Sequence, residues 1–406
     1  METAPTLPTR NARVDVADAL RALAVMAIIV LHTMEHYNFY SYPSTENQPL
    51  WLNFTDRALW DGLFFLIGGK AYAIFALLFG FSFYIQYDNE QRRGRDFRLR
   101  FCWRMCMLFL IGQLDAAFFT AEILVLYAIV GLVLPLVARL SDRKVFVIAC
   151  VCLLQPVCLY QIFAALLAPD CCLPPIGEGP YWAATYAAQS GAGFWDMLKT
   201  NLWEGQLVSL AWAWNNGRVF QTAALFMLGM LVGRRKLFLE AQLPLWGKIA
   251  GGALIAFFPL YGLAGMLPDF VSDPQLRTPL LLLVSSLHKF SFMLLLVAGV
   301  LYAYYRTSWR GALRKTMPYG RMSLTNYVTQ GMAGSLLFYN WGFDLDQHLG
   351  ITASVGLGIV LLAVQFTFCH YWMKSHRHGP LEYVWKRLTW IGSDRNRPQP
   401  TRETAA

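Results

Sequence analysis

Ten apolar runs, most of them near the length needed to cross a bilayer, alternate along the chain with polar segments, and the basic residues fall into every second one. The runs lie at about residues 18–39, 63–87, 101–120, 122–138, 145–168, 217–233, 244–266, 279–305, 320–341 and 351–373. Hydrocarbon offers no partner to a backbone N–H, so each run must satisfy its own hydrogen bonds as a helix. The expected fold class is therefore all-α: a polytopic integral membrane protein of about ten transmembrane helices. With 56% hydrophobic and only 15% charged residues, the composition excludes a soluble enzyme. A net charge of +9 would suit nucleic acid, but the charges sit in alternate loops, so no nucleic-acid partner is expected.

Counting from a cytoplasmic N-terminus places 28 of the 34 Lys and Arg residues on the inner side, against Arg57, Lys199 and Arg277 outside. This asymmetry predicts both termini in the cytoplasm. The remaining three cations, Lys70, Arg218 and Lys289, lie within or at the edge of spans. Residues 1–17 read as a polar cytoplasmic N-terminus and 18–373 as the transmembrane helical domain, with 168–216 an external loop or lid. A cytoplasmic amphipathic helix is expected at 374–391, on the inner leaflet, and a disordered tail at 392–406.

The first run, DALRALAVMAIIVLHTMEHYNFY, carries the most chemistry. Asp18 to His36 covers roughly 27 Å of helix. Arg21 and His32 are eleven residues apart, which returns both to one stripe, about 16 Å apart. His36 falls one turn further along, with Glu35 beside it. Polar groups at such depth are costly and point to function. A histidine oriented by a carboxylate suits general-base work, so His32, Glu35, His36 and Asp115 are the candidate catalytic residues.

Arg21 with Arg92 and Arg93, from the basic loop DNEQRRGRDFRLRFCWR, could hold a phosphate-bearing donor. Lys70 is a further anion-binding candidate. Asp115 and Glu122 fall near the external ends of adjacent antiparallel helices, where pairing with Lys70 or Arg218 and a catalytic role are equally open. Glu122, Arg218, His288 and Asn326 are candidate substrate-binding residues, although polar residues at the spacing of GRMSLTNYVTQ most often bond between helices. No metal is expected, because the His and Cys residues lack ligand spacing.

The pieces KAYAIFALLFGFSF, EILVLYAIVG, FMLGMLVGR, GRMSLTNYVTQ and HGPLEYVWKRLTW resemble the YeiB-like family of multi-pass bacterial membrane proteins from Gly62 to Arg387, with 217–373 as the C-terminal YeiB-like part. That family is placed in a wider group of transmembrane acyltransferases that includes the lysosomal heparan acetyltransferase. DALRALAVMAIIVLH is similar to the opening helix of acyltransferase-three proteins, whose Asp, two residues, Arg and distal His pattern falls on Asp18, Arg21 and His32. In the YeiB-like pattern Asn stands where this chain has His32, and His and Asp where it has Asp115 and Glu122.

The resemblance implies acyl transfer from cytosolic acyl-coenzyme A to a hydroxyl or amine beyond the other face, in the bacterial inner membrane. The acceptor would be a small molecule, a glycan or a lipid-linked species; a homodimer is left open. Transport along Lys70, Asp115, His288 and Lys289, or a non-catalytic partner role, are the competing classes.

Overall fold

The computed structural model describes residues 15–191 and 193–392, whose regular structure is all helical, with no strand among them. Residues 1–14 of the expected N-terminal segment and the tail from 393 onward lie outside the described residues. The first half comprises α1 (Asp15–Met34), α2 (Leu50–Leu66), α3 (Lys70–Gln91), α4 (Arg98–Ala116), α5 (Leu124–Val130), α6 (Val133–Val137), α7 (Asp142–Leu153) and α8 (Pro156–Leu167). Then follow α9 (Gly179–Gly191), α10 (Phe194–Thr200), a π turn at Asn201–Gly205 and α11 (Gln206–Asn215). The second half comprises α12 (Arg218–Arg234), α13 (Leu243–Phe270), α14 (Pro274–Arg306), α15 (Arg310–Arg321), α16 (Ser323–Phe338), α17 (Ile351–Ser375) and α18 (Pro380–Thr389).

Every expected apolar run contains helix, but not all are continuous. The run 18–39 ends as helix at Met34, so left-handed His36 lies past the helix rather than one turn further along it. The run 63–87 is split between α2 and α3 at 67–69, and 320–341 breaks at Met322. By length and composition, five helical segments among the described residues can cross a membrane: α1, α2 with α3, Glu240–Phe270, α14 and α17. The count is six if α7 and α8, bent by 50°, form one span. The other runs are shorter or interrupted. α5 and α6 part at Gly131 and Leu132, α12 has 17 residues and α16 has 16. At the α7–α8 break Gln155 takes a left-handed conformation and Pro156 starts the next helix, an arrangement that forbids a continuous hydrogen-bond ladder.

α1 is central, packed on α2, α3, α14, α15, α16 and α17. Its Ala17, Ala19, Ala22 and Ala24 are buried, and such small side chains let neighbouring backbones approach. Two glycines do the same where α3 crosses α12: a Cβ on Gly80 would strike the Phe226 carbonyl, and one on Gly229 the Leu77 carbonyl.

The region expected as an external loop or lid is largely helical. α9, α10, the π turn and α11 close over the ends of α4 and α16: Asn201 donates to the Ala117 carbonyl (3.0 Å), and the Gln189 amide to Tyr339 Oη (3.2 Å). α18 differs from a helix lying free on lipid, since it docks on α4 and α16. Trp385 Nε1 donates to the Arg104 carbonyl (3.0 Å), and the Arg104 guanidinium stacks 3.4 Å from the Trp385 ring centroid. Glu382 caps α16 by accepting from the Leu324 (2.7 Å) and Thr325 (3.1 Å) amides. Burial raises its carboxyl above the ordinary glutamate value, against these donors. Tyr383 and Val384 stay exposed on its other face.

Because the α3–α12 contact is backbone against side-chain-free backbone, Gly229→Leu forces the helices apart. It should lower the melting temperature in detergent by the equivalent of about 1–3 kcal/mol or more, whereas Gly251→Leu, at an open position, should leave it unchanged. Scanning fluorimetry of the two variants checks this.

Candidate functional site

The polar groups of α1 serve two places. Near its start, Arg21 donates to Asp18 Oδ1 (2.8 Å) and across to Ser82 Oγ on α3 (2.9 Å). Asp18 also receives Arg321 from α15 (3.4 Å). These residues open into a cavity of about 560 Å³ between α1, α3, α4, α16 and α18. Five Lys or Arg side chains line it, Arg21, Arg93, Arg104, Arg321 and Lys386, against the acids Asp18, Glu90 and Glu382. Several are already held in place: Arg93 by Glu90 (2.7 Å), Arg104 by Thr389 Oγ1 (3.1 Å) and Lys386 by His378 (2.7 Å). Fixed guanidinium groups in surplus over acids suit phosphate recognition. Phe75, Phe79 and Tyr127 extend the lining towards the middle of the bundle.

At the far end of α1 the side chains are differently matched. The His32 ring centroid lies 4.9 Å from Phe119, 5.9 Å from Tyr37 and 6.4 Å from Tyr327. Asp115, one turn before Phe119 on α4, is fully buried, and a Cβ on Gly331 of α16 would come within 2.5 Å of its Oδ1. α1, α4 and α16 thus bring His32, Asp115 and Tyr327 together, and Gln330 stands one turn after Tyr327 on α16. Among the described residues, His32 Nδ1, Tyr37 Oη, both Asp115 oxygens and both polar atoms of the Gln330 amide are buried without a hydrogen-bond partner. Tyr327 Oη accepts from the Ile123 amide (3.3 Å), leaving its own proton to donate elsewhere. One unpartnered buried polar group costs about 1–3 kcal/mol.

The remaining candidates divide by their partners. His36 has both ring nitrogens engaged, Nδ1 with the Ser41 carbonyl (2.7 Å) and Nε2 with Ser354 Oγ (2.6 Å), and it stacks on Phe338. It braces the end of α1 against α17. Glu35 is buried and accepts from Tyr40 Oη (3.0 Å). Glu122 caps α5, accepting from the Leu124 and Val125 amides. Asn326 ties α16 to α15 and α17 through the Tyr319 carbonyl (3.1 Å) and Cys369 Sγ (3.2 Å), the inter-helix role its spacing favoured.

Arg92 is exposed and pairs with Asp88 (2.9 Å), outside the cavity that Arg93 lines. Lys70 is not brought to Arg21: it opens α3, twelve residues before Ser82. Nor does the pairing of Asp115 or Glu122 with Lys70 or Arg218 form. Lys70 Nζ donates to the carbonyls of Phe64 (3.2 Å) and Phe65 (2.7 Å), and Arg218 to Gln221 Oε1 (3.0 Å). His288 is buried beside Phe257 and Tyr261 with Nδ1 unpartnered.

Arg104, Arg321, Tyr37 and Tyr327 were not among the candidates read from the sequence. Tyr327 stands one turn before Gln330, one of the polar residues of GRMSLTNYVTQ whose spacing favoured inter-helix bonding, so the signal was present as a shared helix face.

Comparison with known proteins divides the chain in two. Residues 13–174 match the catalytic region of heparan-alpha-glucosaminide N-acetyltransferase, and residues 232–392 match DUF418, a family described only as of unknown function. YxaH of Bacillus subtilis (strain 168) is 25% identical over 355 residues, 83% of each chain. A 39.9 kDa protein encoded in the amylase 3' region of Bacillus acidopullulyticus is 25% identical over 338 residues, 81% of this chain and 82% of its own. YeiB of Escherichia coli (strain K12) is 36% identical over 74 residues, 17% of this chain and 18% of its own. The resemblance is to a YeiB-like membrane family linked to transmembrane acyltransferases. No solved structure matches. The acetyltransferase match contains Arg21, His32 and Asp115, and the DUF418 match contains Tyr327, Gln330 and Arg321, so both regions contribute to both places.

If the far-end cluster is kept for a reaction rather than for stability, removing its most costly member must stabilise the fold. Asp115→Leu, close in shape and unable to leave an orphaned oxygen, should raise the unfolding free energy by about 1–3 kcal/mol, read as a higher melting temperature in detergent.

Proposed function

We propose that the chain is a membrane-embedded acyltransferase that takes acyl-coenzyme A into the cation-lined cavity and transfers its acyl group to a hydroxyl or amine arriving from the opposite face. The observation that carries this reading is the pairing of a phosphate-compatible cavity at one end of α1 with a cluster of unpartnered polar groups at the other. The two ends are about 16 Å apart along the helix, a gap suited to the extended pantetheine arm of the donor. The match to the acetyltransferase catalytic region supports the same chemistry.

In this scheme Arg21, Arg93, Arg104 and Arg321 hold the donor's phosphates. His32 takes the proton from the acceptor's O–H or N–H as the heteroatom attacks the thioester carbonyl. Tyr327 Oη and the Gln330 amide donate to the oxyanion that develops there. The C–S bond then breaks, and the thiolate leaves with the proton held by His32. Asp115, buried in the same cluster, stabilises the imidazolium by its charge rather than by a direct hydrogen bond. α9 to α11 keep bulk water from the site.

The topology that goes with this function is ten crossings in the bacterial inner membrane with both termini cytoplasmic. The cavity then faces the cytosolic donor pool, and His32 lies towards the outer half. Transport is the second reading, and the bent pair α7 and α8 favours it, because transporters place substrate at broken helices.

The test is thiol release from short acyl-coenzyme A donors by purified protein in nanodiscs. His32→Ala should lower turnover by about 10²–10⁴-fold, and Arg21→Ala should raise the donor KM about tenfold, the worth of roughly 1.4 kcal/mol of binding. Neither donor binding nor turnover by the folded wild type, with solute uptake into proteoliposomes instead, would establish the transport reading.

A further inference from the structure

The three cations that belong to neither set of loops, Lys70, Arg218 and Lys289, come from α3, α12 and α14 and converge on one spot. Gly69 and Gly217 precede the first two, each in the left-handed conformation that lets a helix start abruptly. A Cβ on Gly69 would lie 3.2 Å from Lys289 Cδ and 3.7 Å from Arg218 Nη2, so both chains fold over the residue that leads into Lys70. No acidic side chain forms an ion pair with any of the three among the described residues, and Lys289 Nζ has no hydrogen-bond partner there. Glu178, whose loop is held to Asn215 through Ile176, makes no ion pair with them.

Such a grouping is unfavourable by itself. Like charges repel at this range, and burial removes the water that would screen them. Lys70 is 4% exposed and is held only by the last carbonyls of α2 and the faces of Phe65 and Phe292. Arg218 lies over Tyr72 (4.7 Å) and Trp212 (5.5 Å). A charge of three positives, partly open at Arg218 and Lys289 and walled by aromatic rings, matches an anionic group with an apolar continuation.

Along α12 the cluster is about 25 Å from the basic end at Arg234. That separation covers most of a hydrocarbon core of about 30 Å, so with Arg234 at one headgroup layer Arg218 lies towards the other. Inward from it, Tyr127 Oη donates to the carbonyl of Tyr72 (3.2 Å), and Tyr127 also lines the cation-lined cavity.

We propose that Lys70, Arg218 and Lys289 form a phosphate-type anion site at the face opposite the donor cavity, filled by a lipid headgroup or a soluble phosphate ester. That its occupant is the acceptor rests on the acyl-transfer reading; the anion site itself does not.

The experiment measures retention of phosphatidylglycerol and phosphatidylcholine on the purified full chain by native mass spectrometry, with inorganic phosphate as a competing arm and no donor present. Wild type should retain phosphatidylglycerol at about tenfold lower concentration than phosphatidylcholine. Lys289→Gln should abolish that preference, and the exposed Lys374→Gln should keep it. A rise in wild-type melting temperature with the bound anion, absent with chloride at equal ionic strength, is the second readout and needs no variant. Loss of phosphatidylglycerol to millimolar inorganic phosphate identifies a soluble ester as the natural source, and resistance to it identifies the lipid. Equal retention of the two lipids with no anion-dependent stabilisation overturns the site, as does a preference that survives in folded Lys289→Gln. Because donor turnover is measured separately, a chain that binds anions without releasing thiol would sink the acyl-transfer reading and leave the anion site standing.

Discussion

In a medium that cannot hydrogen-bond, every polar atom of a buried helix must find its partner inside the protein, and that requirement governs α1. Asp18, Arg21 and Arg321 satisfy one another at its start and fasten α1 to α15 and, through Ser82, to α3. His36 does the same at the other end, where Ser41 and Ser354 occupy both of its nitrogens. Between these anchored ends the helix is held by alanines and close backbone contacts, which leaves it little freedom to shift. His32 is the exception, in the last turn of α1, with Nδ1 unmatched.

The contrast between satisfied and unsatisfied groups sorts the polar residues better than their chemistry does. Glu122, Asn326 and His36 look as reactive on paper as Asp115 and His32. They spend their hydrogen-bonding capacity on a helix cap, an inter-helix tie and a loop anchor. Asp115, Gln330 and Tyr37 have capacity left over in a place where leaving it over is expensive. The same logic in charge rather than hydrogen bonds singles out Lys70, Arg218 and Lys289. α18 adds the third element, since its docking through Trp385 and Glu382 completes the wall of the cation-lined cavity.

Much of this was legible in the sequence. Apolar runs located the helices, and the eleven-residue spacing of Arg21 and His32 placed both ends of α1 on one stripe. Lys70, Arg218 and Lys289 stood out as the cations with no loop to belong to. Other features depend on contacts between distant segments and leave no local pattern. Arg104 and Arg321 read as ordinary positive-inside residues, because their role comes from α18 and Asp18 meeting them. Of the two readings left open for Asp115, pairing with Lys70 or Arg218 does not form, because the carbonyls of Phe64 and Phe65 take Lys70 and Gln221 takes Arg218. α18 carries the periodicity of a surface helix, yet its Glu382 is matched to the amides that open α16, and no spacing rule reports that.

In the proposed reaction the two ends of α1 handle the two ends of one donor. A cryo-EM map of the protein in nanodiscs with a non-cleavable thioether analogue of acyl-coenzyme A tests it directly. The account predicts nucleotide phosphates among Arg21, Arg93, Arg104 and Arg321, with the carbon that replaces the thioester carbonyl beside His32. Nucleotide density elsewhere, or a thioether that ends away from His32 with the cavity empty, would contradict it.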